Sequence, residues 1–257
     1  MSQDRNSQKI IIHNDSDYEG MRKAGKLAAE VLVAIAEHVK PGATTNHLND
    51  ICHKMIIDHG AIPAPLNYKG FPKSICTSIN HVVCHGIPND KELLNGDIIN
   101  IDVTVIVDGW HGDTSKMFLV GDKVSIKAKR IIQVTYDALM FGIEKVKPGN
   151  QFNEIGKAIQ EHVEKNGYSV VTDYCGHGIG KIFHCEPQVL HYYDKNYDFK
   201  IEKGMFFTIE PMVNAGKSDT LLLNDGWTAV TRDRSLSAQF EHTIGVTDSG
   251  YEIFTKV

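Results

Sequence analysis

The sequence predicts an α+β domain of two similar halves, with a curved antiparallel sheet covered by helices on its outer face. Three observations predict it. Helical patterns stop at Val39-Lys-Pro-Gly42 and again at Val146-Lys-Pro-Gly149, 107 residues apart. Gly96-Asp-Ile-Ile-Asn-Ile-Asp102 lines up with Gly204-Met-Phe-Phe-Thr-Ile-Glu210 at an offset of 108, with an acidic residue six after the glycine in both. Each of these segments leads toward a second antiparallel strand. The repeat covers roughly residues 16–120 and 125–250 of one domain spanning 1–257, with residues 1–10 expected as a flexible N-terminal tail.

The first helix opens with a capping box, Ser16-x-x-Glu19, and runs through MRKAGKLAAEVLVAIAEH to its Pro-Gly stop. TTNHLNDICHKMIIDHG supplies a second helix. GDIINIDVTVIVDGWHGDTSKMF then reads as strand, turn and strand, because Asp108-Gly109 suits a two-residue hairpin turn. Side chains along a strand alternate between faces. Ile99, Ile101, Val103, Val105 and Val107 therefore form one apolar face, and Asn100, Asp102 and Thr104 the other. If Val107 pairs with Trp110, Thr104 faces Asp113 and Asp102 lies one diagonal away, roughly 7–8 Å at the backbone. In the second half SIKAKRIIQVTYDALMFGIEK and QFNEIGKAIQEHVEKNG repeat the helices. Phe206, Thr208 and Glu210 then share a strand face, and AQFEHTIGVT puts Gln239, Glu241 and Thr243 on one side. Glu210 is thus the counterpart of Asp102, and Glu241 is expected to answer Asp113.

Carboxylates gathered on the polar face of strands whose other face is core repel one another unless a cation neutralises them. Two from each half give four negative charges, which two divalent ions would balance. A further ligand candidate is His177, between glycines in CGHGIGKIFHCEP. His85 in CHGIP and His184 in FHCEP each precede an acidic strand and have a proline three positions on, so these two are expected to flank the metals.

Composition narrows the classes. The 257 residues are 42% hydrophobic without a linker or low-complexity segment, so one large core is expected. A formal net charge of −5 leaves no basic footprint for nucleic acid. No apolar stretch is long enough for a bilayer, and MSQDRNSQKI lacks the apolar core of an export signal. The five cysteines, an odd number without a C-x-x-C pair, suit reduced thiols in a cytoplasm.

CHGIP, NIDVTV, HGDTSKMF, CGHGIG, FHCEPQV, FTIEPMVNAG and SLSAQFEHTI together resemble, in order and at compatible spacings, the motifs of the type I methionine aminopeptidases, short bacterial enzymes of the pita-bread fold. The resemblance covers nearly the whole chain from about residue 10. It implies that Asp102 and Asp113 chelate one metal, and that Asp113 and Glu241 bridge to a second, also held by His177 and Glu210. Two divalent ions, Co, Mn, Fe or Zn, would supply a bridging hydroxide that attacks the scissile carbonyl. His85 and His184 match substrate-facing histidines, with Glu210 the proton carrier. Tyr68, Phe71, Cys76, Phe183 and Trp227 match the wall of the methionine pocket. The family also has a monovalent-cation site, here near Asn80, Val82 and Ser237. Tyr68-Lys-Gly-Phe71 departs from the Tyr-His-Gly-Tyr usual in bacterial relatives and alters the pocket rim. The implied activity is removal of the initiator methionine from nascent chains with a small second residue, by a cytoplasmic monomer at the ribosome that binds neither membrane nor nucleic-acid sequence. A proline-specific peptidase of the same fold is the nearer rival, and a non-catalytic binding module the more distant one.

Overall fold

β-Branched alternation makes Ile98–Val107 and Trp110–Leu119 ten-residue strands, and Asp108 (φ 50°) and Gly109 (φ 83°) join them in the left-handed turn that a two-residue hairpin requires. The structure is a computed structural model that describes residues 9–257. Register follows the expectation: Val107 pairs with Trp110, Thr104 with Asp113 and Asp102 with Ser115. Ile99, Ile101, Val103 and Val105 are fully buried against α1 (Asp17–Ile35) and α2 (Thr45–Asp58), each burial contributing roughly 1.5–3 kcal/mol. Where α1 crosses the hairpin only glycine fits, because a Cβ on Gly112 would collide with the backbone of Ala24 and Gly25.

The second half repeats the plan with its own core. α3 (Ile126–Ile143) and α4 (Phe152–Lys165) cover Phe207, Ile209, Ile244 and Val246. Both Pro-Gly stops use a left-handed glycine, Gly42 at φ 86° and Gly149 at φ 91°. Thr44 and Ser125 cap α2 and α3 by accepting from the backbone N–H of His47 and Ala128. A third cluster, including Tyr18, Trp110, Phe206 and Phe254, ties the halves together.

Two expectations are corrected. Ser16 makes no side-chain cap. Asn14 Oδ1 instead accepts from the Ser16 N–H (2.9 Å), and Asp17 Oδ2 accepts from the Asn14 N–H (3.0 Å), so a reciprocal cap forms two residues earlier, with an acid three after Asn14. Glu241 is also not the register counterpart of Asp113 in the second half. Ile209 pairs with His242 and Met212 with Gln239, so Glu210 comes opposite Glu241, as Asp102 stands opposite Ser115. The counterpart of Asp113 is Gln239, because the same register holds on both sides of the break over Glu210-Pro211 and Phe240-Glu241 and sets Gln239 opposite Met212. Ser115 and Glu241, which occupy equivalent places, then meet across the halves, each N–H donating to the other's carbonyl (3.4 and 3.1 Å). Of the tail expected over 1–10, residues 1–8 lie outside the described residues, while Ile10 packs against the second core.

Candidate metal centre

The polar faces of both strand pairs turn toward one cavity of about 360 Å³. Asp102, Asp113, His177, Glu210 and Glu241 form its floor, and His85, His184, Tyr68, Phe71, Cys76, Phe183 and Trp227 its walls. All twelve residues singled out in the sequence for metal, proton transfer or substrate therefore share one space. Asn80, Val82 and Ser237 lie outside it. There the Asn80 carbonyl, on a left-handed residue (φ 54°), accepts from the Ser237 N–H at 2.8 Å.

His177 is placed by close backbone packing on both sides. A Cβ at Gly176 would strike the Thr208 carbonyl, and one at Gly178 the Glu186 carbonyl, so the flanking glycines let three strands converge. The His177 Nδ1–H donates to the Gly178 carbonyl (3.1 Å), which leaves Nε2 as the free nitrogen, 3.6 Å from Asp113 Oδ2 and 3.7 Å from Glu210 Oε1. Donor atoms of Asp113, His177 and Glu241 lie within 4.8 Å of one another. Cys76 pairs directly with Asp102, which sets its thiol on the same face.

Threonines fix the carboxylates. Thr104 Oγ1 donates to Asp113 Oδ1 (2.7 Å), and Thr208 Oγ1 accepts from the His177 N–H and donates to Glu210 Oε1 (2.8 Å). Across the halves, Thr243 Oγ1 donates to the Asp113 carbonyl (2.7 Å) and Thr114 Oγ1 to the Glu241 carbonyl (2.8 Å). The buried His191 accepts the Glu210 N–H at Nε2 (3.1 Å). Parity had put Thr104 and Thr208 on the polar face without giving them a role. His191 and Tyr174, whose ring meets that of His85 at 5.6 Å, carry no sequence signal of their own.

Electrostatics point to a missing positive charge. Burial, then the neighbouring Asp113 and Glu210, hold Asp102 well above the usual carboxylate range. Burial and Asp113 do the same to Glu241, and burial lifts Glu210 to about 7. Burial opposes protonation of His177, but its bond to Asp113 and the charge of Glu210 outweigh it and raise the imidazole. Asp102 Oδ1 is buried without a hydrogen-bond partner. An unpartnered carboxylate oxygen, four convergent carboxylates and one oriented imidazole nitrogen fit divalent cations of the Mn, Fe, Co or Zn kind.

Burial, and then His177, push His184 down to about 3; its Nδ1 meets the Tyr68 hydroxyl at 3.0 Å and its ring stacks on that of Tyr68. Burial lowers His85 as well. Both rings are therefore neutral at pH 7. Phe71 meets Trp227 edge-on at 5.2 Å, closing the apolar wall.

The chain is similar to known proteins over nearly its whole length. Residues 19–248 match metallopeptidase family M24. The chain is 66% identical to the methionine aminopeptidase of Rickettsia prowazekii over 96% of this chain and 95% of that one. It is 57% identical to that of Escherichia coli K12, over 96% and 94%. The crystal structure of the Rickettsia prowazekii enzyme superposes with a TM-score of 0.95, covering 96% of this chain and all of that one. The Thermotoga maritima methionine aminopeptidase reaches 0.94 at 36% identity, over 97% and 100%. A prolidase from Pyrococcus furiosus shares the fold alone, at 22% identity and a TM-score of 0.73, covering 96% of this chain and 66% of its own. The chain belongs to metallopeptidase family M24, within its methionine aminopeptidases, and has their pita-bread fold.

Proposed function

We propose that the cavity removes the initiator methionine from polypeptides whose second residue is small, with Asp102, Asp113, His177, Glu210 and Glu241 as ligands of two divalent ions. One observation carries this reading: three ligand types converge within 4.8 Å beneath an apolar, aromatic pocket. Asp113 and Glu241, central in that cluster, would be shared by both ions, with Asp102 completing one and His177 and Glu210 the other. When bound, such a pair supplies a strong nucleophile from water at neutral pH and polarises a carbonyl.

The residues do the rest. Glu210, oriented by the Thr208 hydroxyl that donates to its Oε1, can take a proton from the attacking water and pass it to the leaving amine. His184 is neutral, and with Nδ1 engaged by the Tyr68 hydroxyl its Nε2–H is free to donate to the scissile carbonyl oxygen as charge develops. His85, also neutral, would bond the scissile amide from the facing wall. Tyr68, Phe71, Cys76, Phe183 and Trp227 would hold the methionine side chain. Burial keeps the Cys76 thiol protonated and therefore compatible with a thioether.

A monovalent ion at the Asn80 carbonyl, Val82 and Ser237 would brace the loop beside Ile98–Val107. We further propose that the enzyme works as a cytoplasmic monomer on nascent chains at the ribosome, without binding nucleic-acid sequence. Support comes from its relatives and from five cysteines that are all free. No described helix is long and apolar enough to cross a membrane.

The test is to strip the metal, titrate back Mn, Fe, Co and Zn, and compare Met-Ala-Ser, Met-Lys-Ser, Leu-Ala-Ser and Pro-Ala-Ser. Activity should return with metal, on Met-Ala-Ser above the other three. Faster release of proline or leucine, or equal rates on Met-Ala-Ser and Met-Lys-Ser, would overturn the substrate rule.

A further inference from the structure

The cavity mouth is electrically lopsided. Lys69 is the only lysine or arginine among its described lining residues, and no carboxylate of the described residues lies within 4.0 Å of it. Asp173, the exposed acid in the lining, adjoins Tyr174, and its Oδ2 accepts from the Thr220 hydroxyl at 2.5 Å. Lys69 is exposed on a tight turn, left-handed at φ 47°, with Asn67 (φ 66°) and Gly70 (φ 89°) left-handed beside it. Such a turn fixes the backbone from which the side chain projects.

From the ligands to this lysine runs a line of side chains. The His177 and His184 rings are 4.1 Å apart, the His184 and Tyr68 rings 5.2 Å, and Lys69 Nζ stands 5.3 Å from the Tyr68 ring centre. A substrate with its first residue at the ligands and its scissile carbonyl at His184 leaves along this wall. At about 3.3 Å per extended residue, the path reaches Lys69 at the third or fourth position.

We propose that Lys69 reads the charge of the third or fourth residue of the substrate, favouring chains with an acidic side chain there. This rests on the aminopeptidase reading. It adds a second criterion to it, since the size of residue two is judged at the ligands and the charge further along at the rim.

The test uses the metal-loaded enzyme and C-terminally amidated peptides, so that no terminal carboxylate competes. In each variant kcat/KM for Met-Ala-Glu-Ala is divided by that for Met-Ala-Gln-Ala, and Met-Ala-Ala-Glu by Met-Ala-Ala-Gln. A loss of active enzyme cancels in both ratios. At low salt the wild type should favour glutamate about two- to fivefold in at least one pair, as an exposed ion pair would. The preference should fade in 1 M salt, where charges are screened beyond about 3 Å. Lys69→Gln should bring the ratio to one, and Lys69→Glu should invert it. A wild-type ratio of one in both pairs, or a preference that survives Lys69→Gln, would overturn the proposal. No cleavage of the glutamine peptides would instead overturn the aminopeptidase reading.

Discussion

The two halves deliver their carboxylates differently. In the first, a continuous ten-residue ladder carries two short aspartates on a diagonal, since Asp102 pairs with Ser115 and Asp113 with Thr104. In the second, the ladder breaks at the ligands, and two longer glutamates stand opposite each other between Ile209–His242 and Met212–Gln239. Directly opposed positions are roughly 4.5–5.5 Å apart at Cβ, against 7–8 Å on the diagonal. A repeated scaffold has thus reached one cluster by two local routes. Each half also anchors the other, Thr243 on the Asp113 backbone and Thr114 on that of Glu241.

If Asp113 and Glu241 are shared ligands, the halves should fail alike despite their different geometry. Asp113→Asn and Glu241→Gln are each expected to lose both metal equivalents and more than about a hundredfold in kcat/KM, beyond the 10–100-fold usual for outer-shell changes. Asp102→Asn should retain about one equivalent. Metal analysis beside kinetics decides this, and near-normal activity with full metal in Asp113→Asn would refute the shared assignment.

The threonines sharpen the comparison at the next level. Thr104→Val frees Asp113 and Thr208→Val frees Glu210, so each should weaken metal binding by about tenfold with the fold intact. Competition with a chelator measures this. A tenfold effect in one half and none in the other would show that only one side is held in place by its threonine.

Without metal, both halves should make the protein sensitive to alkali. Asp102, Glu241 and Glu210 are raised, so the folded chain holds protons that the unfolded chain releases above about pH 4. Stability of the metal-free protein therefore falls as pH rises, the Glu210 share being lost by about pH 7 and the other two continuing higher. Melting of the chelated protein should drop by at least about 3 °C between pH 5 and 8, and metal should abolish the drop. A flat profile without metal would mean that the carboxylates are not in conflict.

The smallest expected effects lie at the start of α1. Asn14→Ala should cost about 1 kcal/mol, and Ser16→Ala should change denaturant stability by under about 0.5 kcal/mol. The reverse order would restore the Ser16 cap.

The hairpin was legible because an Asp-Gly turn fixes its register and strict β-branched alternation fixes its faces. All five would-be ligands followed from parity, from the repeat or from the family resemblance. The break at Phe240-Glu241 was not legible, because alternation runs through it unbroken: Phe240 faces the core as Ile244 does. Asn14 escaped notice because Ser16 fits the same cap pattern two residues later, and geometry chose between them. His191 acts through its contact with the Glu210 backbone, which no spacing in the sequence announces.

The Ser115–Glu241 bridge has a consequence for how such a chain could arise. Equivalent residues exchanging the same two hydrogen bonds are what the axis of an isologous dimer looks like when both protomers sit on one polypeptide. Expressed alone, residues 9–120 would leave the Trp110–Leu119 edge unpaired, with Ser115 placed to bridge its own copy. Such a homodimer would lack His177 and the two glutamates that the second half brings to the cavity, so the second copy has become the richer donor.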